Sequence, residues 1–265
     1  MISYFQSIVM GVVEGITEFL PISSTGHLIL TTKLLNINQS DFIKSFEIII
    51  QLGAILSVVV LYYKAIFLNY KIFKKIALAF IPTAILGFIL YQVVKNVLMS
   101  SSIIVIWSLL IGGVLIILFE LLYTGIYGKV EPKPDKLQTE IDSISNTQCL
   151  ILGGFQAIAM IPGVSRSAAT IIGGMALGIK RKTIVEFSFL LAVPTMLAAS
   201  GYDLYKNGAA FSSDQYLVLT LGFFISFIVA TIAIKSFLLL IQKHSFIIFG
   251  IYRIILALIF LLLIK

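Results

Sequence analysis

Residues 14–27 read EGITEFLPISSTGH. Two carboxylates, Glu14 and Glu18, stand at i and i+4 and so share one helix face. Pro21 interrupts that helix. Ser23, Ser24, Thr25 and Gly26 then supply hydroxyls and free backbone N–H groups at the start of a second helix, a good seat for a phosphate. His27 follows one turn in, placed in sequence to exchange a proton with a hydroxyl or a leaving oxygen. The flanking apolar pieces, Ser3 to Leu20 and Ser23 to Leu35, are too short to cross about 30 Å of hydrocarbon. The polar string is therefore the tip of a broken helix.

The rest of the chain sets that tip in lipid. Of its 265 residues, 59% are hydrophobic and 12% charged, more apolar side chain than one soluble core of this size could bury. Longer apolar stretches run from Ser45 to Tyr62, Ile76 to Val94 and Ser102 to Tyr123. After the polar run KVEPKPDKLQTEID at 129–142 come two short pieces again, Gln148 to Met160 and Ser165 to Gly178. Spans near Glu186 to Tyr202, Gln215 to Ile234 and Ser245 to Ile264 complete the chain, with Lys235 leaving the end of one span open towards Gln242. The N-terminal MISYFQSIVM lacks a basic leader and Glu14 and Glu18 interrupt its apolar run, so no cleavable signal is expected. A single cysteine, Cys149, offers neither a disulfide framework nor a thiol metal cluster. The net charge of +7 sits in short clusters between spans, which favours membrane orientation over nucleic-acid binding.

Those clusters predict topology. With Lys64, Lys71, Lys74 and Lys75 inside, the loop near Lys95 falls outside, and Lys180, Arg181 and Lys182 fall inside again. The short pieces before and after each tip must then enter and turn back as re-entrant hairpins from opposite faces. At an offset of 142, Gly11, Glu14, Ile16, Ser23 and Thr25 fall on Gly153, Gln156, Ile158, Ser165 and Ser167. The expected fold is thus an all-α polytopic membrane protein with an inverted-topology repeat, about six transmembrane helices and two re-entrant hairpins. Residues 1–124 form the first repeat, 125–147 a polar cytoplasmic linker, and 148–265 the second repeat. In such folds the tips meet near the midplane around a polar site.

The second tip, Pro162 to Thr170, reads PGVSRSAAT. Arg166 suits phosphate: its fork grips two oxygens, and a permanent charge in lipid is costly without an anion. Ser165, Ser167 and Thr170 add hydroxyls. Each feature has a plainer explanation beside it. Hydroxyls in membrane helices often only cap and pack, and Glu14 and Glu18 with Arg166 could form an inert buried ion network. Glu47 and Gln51 either line the cavity or bond neighbouring helices. Arg253, deep in the last span, either contacts phosphate or snorkels to the interface, and its depth favours the site. Glu120, Lys95 and Lys265 lie near span ends, where solvation explains them.

At both tips the sequence resembles the bacterial undecaprenyl-diphosphate phosphatases, membrane enzymes linked to bacitracin resistance, with signatures EGxTEFLPVSSTGH and PGxSRSGxT. FEIIIQLGA, EFSFLLAVP and the IYR at Ile251 to Arg253 also resemble the family, which makes the likeness essentially chain-long. Ile22 replaces a valine, and Ala168 stands where glycine is usual. The resemblance implies hydrolysis of the C55 polyprenyl diphosphate to the monophosphate, recycling the lipid carrier of cell-wall synthesis in the bacterial plasma membrane, with the active site towards the outer face. It also implies Mg²⁺ or Ca²⁺, for which Glu14 and Glu18 are the candidate ligands. Phosphoryl transfer needs charge neutralisation and an in-line nucleophile. The expected nucleophile is Ser24, assisted by His27 or Glu18, with Arg166, Ser165 and Thr170 on the phosphates; the rival nucleophile is His27. The competing class is a polyprenyl-phosphate flippase or transporter, since inverted repeats around an anion site are also built for transport.

Overall fold

The computed structural model describes residues 2–93, 102–127, 137–207 and 211–263. The loop around Lys95, the linker's whole 129–136 stretch and Lys265 lie outside the described residues. Five helical stretches are long and apolar enough to cross a membrane: Asp41–Leu61, Tyr70–Leu90, Ser102–Gly125, Arg181–Tyr202 and Ser213–Leu240. They belong to helices α3 (Asp41–Leu61), α5 (Tyr70–Val93), α6 (Ser102–Tyr127), α10 (Arg181–Asn207) and α11 (Ser213–Leu240). The sixth expected span is α12 (Ile247–Leu263), 17 residues long and so about 25 Å at a 1.5 Å rise. Helix α11 continues through Lys235 to Leu240.

Two pairs of shorter helices form the broken hairpins: α1 (Tyr4–Thr17) with α2 (Ser24–Leu34), and α8 (Asn146–Ile158) with α9 (Arg166–Ala176). Short helices α4 (Tyr63–Phe67) and α7 (Leu137–Ser143) occupy the connections. The hairpins repeat each other in detail. Both open on a capping box, Ser3 with Gln6 and Ser145 with Gln148, which satisfies amides at a helix start. Both close with that glutamine's Nε2 donating to a carbonyl at the end of the second half-helix: Gln6 to Leu35 and Gln148 to Leu177, each 3.1 Å.

The two open ends lie at opposite ends of the bundle. Near the first, Phe42 at the start of α3 meets Phe211 edge-on just before α11, with ring centroids 5.4 Å apart. Beside the second, Arg181 pairs with Glu120 at 2.7 Å and reaches the His244 carbonyl, while Lys180 pairs with Glu140 at 2.8 Å. Lys75 donates to the carbonyls of Ile141, Asp142 and Ile144. The basic clusters thus share one end, and Glu120 departs from the expectation of a solvated residue. It is fully buried and held by Arg181, whose charge its own burial requires.

Each broken hairpin leans on the other half. Helix α1 packs along α11, and α8 along α5. Small residues let the backbones approach. A Cβ on Gly11 would stand 2.7 Å from the Gly222 carbonyl, and one on Gly153 only 2.1 Å from that of Ala79. Gly153→Ala is therefore expected to lower stability by about 1–3 kcal/mol, read as reduced thermal stability in detergent. Gly154→Ala, which meets nothing within 4 Å, should leave it unchanged or slightly raised.

Candidate active site at the two hairpin tips

Each returning half-helix is capped by a serine in a conformation that L-residues rarely adopt. Ser23 has φ 71° and Ser165 φ 73°, a strain of order 1–3 kcal/mol each, of the kind that collects at functional sites. Each hydroxyl accepts the third amide of its helix, from Gly26 and Ala168, at 3.3 Å. Among the described residues, the amides of Ser24 and Thr25 and of Arg166 and Ser167 have no acceptor. Two helix N-termini with free donors thus occur at equivalent points of the two hairpins.

Arg253 fixes these tips. It is fully buried, and its five N–H donors meet five carbonyls: Pro21 in the first tip, Gly163 and Val164 in the second, Ser108 and Leu109 in α6. A Cβ on Gly112 would stand 2.2 Å from its Nη2, so glycine is needed there to admit the guanidinium. The expectation that Arg253 contacts phosphate is thereby corrected. Its donors are spent on backbone, and it acts as a clamp joining the tips while adding positive charge behind them.

The chemistry converges on Glu18, which is buried. Arg166 Nη2 donates to Glu18 Oε1 at 3.1 Å, and the Ser24 hydroxyl donates to Glu18 Oε2 at 2.7 Å. Arg166 is oriented further by Nη1 donating to the Ser188 carbonyl at 2.8 Å, and its Nε is buried without a partner. A directed hydroxyl, a carboxylate to receive its proton and an unspent guanidinium donor therefore stand together. Each Glu18 oxygen accepts one hydrogen bond and keeps a second lone pair.

Glu14 differs. It is fully buried with its carboxyl beside that of Glu18, and no N–H or hydroxyl of another residue type donates to either of its oxygens; Glu47 Oε1 is likewise buried without a donor. Glu14 lies within electrostatic reach of Glu18, Glu47 and Arg166. No group of three or more His, Cys, Asp or Glu gathers among the described residues. Glu14 and Glu47 nonetheless offer carboxylate oxygens without donors, the kind of ligand a hard cation takes.

His27 is occupied on both ring nitrogens. Nδ1 lies 2.7 Å from the Ser23 carbonyl and Nε2 2.7 Å from the Tyr252 hydroxyl. A carbonyl only accepts, so Nδ1 carries the proton and Tyr252 donates to Nε2. The ring braces the strained Ser23, while the Ser24 hydroxyl bonds to Glu18 instead. Tyr252 was not among the residues singled out from sequence; its one signal was the adjacent Arg253 in IYR. Thr170 also turns away from the tip: its hydroxyl lies 2.9 Å from the Arg166 carbonyl and 2.6 Å from Ser188 Oγ. Ser165 and Ser167 hydroxyls lie 3.5 Å apart. Thr25 and Gln51 are half-buried.

The second hairpin carries the scaffold without the carboxylates. Gln156 stands where the first has Glu14, and its Nε2 donates to Thr83 and Thr195 at 2.9 and 3.0 Å. Met160 stands at the position of Glu18.

Fold and tips together define a polytopic α-helical membrane protein whose two halves meet in a buried centre suited to a phosphate. A family model described as bacitracin resistance protein BacA matches residues 7–259. The chain belongs to that family. Curated relatives named undecaprenyl-diphosphatase include those of Aquifex aeolicus, 48% identical over 261 residues (97% of this chain, 96% of that protein), and Wolinella succinogenes, 49% identical over 257 residues (97% and 96%). That of Persephonella marina is 49% identical over 257 residues, covering 97% of each chain.

Proposed function

We propose that this membrane enzyme hydrolyses undecaprenyl diphosphate to undecaprenyl phosphate and inorganic phosphate, with the reaction at the junction of the hairpin tips. The observation that carries the site is Ser24 Oγ donating to Glu18 Oε2 at 2.7 Å while Arg166 holds Oε1. In this reading Ser24 Oγ attacks the terminal phosphorus and its proton passes to Glu18. The bond to the bridging oxygen breaks, and undecaprenyl phosphate leaves with that oxygen and, by way of Glu18, the proton. Water then gives a proton to Glu18 and attacks the phosphoserine, and the proton returns to Ser24 as phosphate departs. Arg166 Nε and the free amides of both tips stabilise the charge on the transferred group. His27 as nucleophile would have to leave both Ser23 and Tyr252, which favours Ser24.

Glu14, with Glu47 opposite, would hold a divalent cation against the diphosphate, where it neutralises negative charge. Removing divalent ions with EDTA is expected to stop phosphate release. Glu14→Gln should raise the Mg²⁺ concentration for half-maximal rate by at least the ~10-fold that losing a supporting partner alone costs a metal site. An unchanged Mg²⁺ requirement would remove Glu14 from this role.

The reading also assigns residues 1–124 and 148–265 as repeats around a cytoplasmic linker in the bacterial plasma membrane. The basic end then faces the cytoplasm, and substrate reaches the site from the outer side; the positive-inside bias supports this orientation. The decisive assay supplies purified protein in detergent with undecaprenyl diphosphate and Mg²⁺ or Ca²⁺ and measures released phosphate. Folded protein that binds the lipid without releasing phosphate would sink the hydrolase and leave lipid translocation in its place.

A further inference from the structure

The connection between α3 and α5 reads YYKAIFLNYKIFKK, residues 62–75. A water-facing turn between two spans would be polar. Here Leu68 is 74% exposed and Tyr70 78%, and Tyr63, Phe67 and Phe73 are also exposed. Aromatic side chains with one apolar body and one polar tip belong at the membrane–water interface. Beside Tyr70 the start of α5 and the linker helix α7 flank an open cavity of about 370 Å³ lined by Tyr70, Lys71, Lys74, Lys75, Asp142 and Asn146.

Three cations and one anion line this space. Lys75 is consumed by the carbonyls at the end of α7, where a cation complements the helix dipole. Lys71 reaches Asp142 only at 3.7 Å, and Lys74 has no hydrogen-bond or ion-pair partner among the described residues. Their place at the N-terminal end of α5 opposes that helix's own dipole, so the helix gains nothing from them. Orientation in the membrane asks for positive charge at this end of the bundle, but not for its convergence on one cavity beside exposed aromatic and aliphatic side chains.

We propose that this cavity binds the phosphate of an anionic phospholipid headgroup, with Lys71 and Lys74 as the cationic contacts and Phe67, Leu68 and Phe73 against the acyl chains. The site is separate from the hairpin tips, and it stands whether or not the hydrolase reading does.

Native mass spectrometry of the full chain released from detergent, titrated with phosphatidylglycerol or phosphatidylcholine, tests it. Phosphatidylglycerol should bind more tightly. The double substitution Lys71→Gln, Lys74→Gln should weaken it by about fivefold per lysine, or roughly 25-fold together. Lys33→Gln with Lys44→Gln, the same loss of charge at the other end of the bundle, should leave phosphatidylglycerol binding unchanged, and thermal unfolding of both variants should match the parent. Equal binding of the two lipids, or an equal loss in both double variants, would overturn the site. Inorganic phosphate displacing phosphatidylglycerol at comparable concentration would overturn the lipid as its occupant.

Discussion

Glu18→Gln is expected to cut phosphate release per folded molecule by about 10²–10⁴-fold, the usual value of a positioned general base, on top of the stability lost when the buried Arg166 loses its carboxylate. The substitution is isosteric, and the amide oxygen can still accept from Arg166. The amide nitrogen, however, then faces Ser24 Oγ, which must accept a hydrogen bond where it now donates one at 2.7 Å. The nucleophile's proton loses both its direction and its destination. Ser24→Ala should cost at least as much, and the double variant little more than the worse single one, because residues acting in one step are not additive. Phosphate release measured for the three variants against thermal unfolding checks this. Full activity in Ser24→Ala would remove the serine as nucleophile, and strictly multiplicative losses would separate the two residues' roles.

Arg253→Ala should act on the fold before the chemistry. Ser108 and Leu109 lie inside α6 and keep their helical bonds, but the carbonyls of Pro21, Gly163 and Val164 have no other acceptor role among the described hydrogen bonds. Orphaning three buried carbonyls costs about 3–9 kcal/mol at ~1–3 kcal/mol each, a large part of the ~5–15 kcal/mol that keeps a protein folded. Most of the variant should be lost to aggregation on extraction. Arg253→Lys offers three donors on one atom and cannot span carbonyls from three segments, so it should fall between. Arg166→Lys makes the contrast: a cation stays beside the buried Glu18, so folded yield should stay near the parent's while phosphate release is lost with the guanidinium fork. Folded yield and melting temperature in detergent separate the two arginines, and a stable but inactive Arg253→Ala would return that residue to the phosphate.

The broken helices were readable because their signal lies in side chains: short apolar pieces, Pro21 and Pro162, a hydroxyl-rich restart, and weak identity at an offset of 142. The candidate site residues were drawn from the same strings. Arg253 was harder. Its acceptors are main-chain carbonyls, which leave no mark in a sequence, so a buried arginine read alone as an anion ligand. The strained caps were hidden for a related reason: positive φ usually announces itself as glycine, and here serine occupies both positions because its hydroxyl is needed by the third amide. Glu14 and Glu18, one turn apart and alike in sequence, separate into a carboxylate with no donor of another residue type and one that accepts from Ser24 and Arg166 only through what α3 and α9 bring beside them.

The exchange of supports between halves, α1 resting on α11 and α8 on α5, bears on how the protein comes into being. While only the first half has left the ribosome, α1 has α2 and α3 beside it but not α11, against which most of it packs, and the groove on α5 waits open. The polar tip would then sit in lipid with neither its arginine clamp nor its ion pair. The second hairpin finds α5 already made, but synthesis must reach α11 before the first has its bed, and Arg253, supplied by the last helix, then closes the structure in the same act that completes the site.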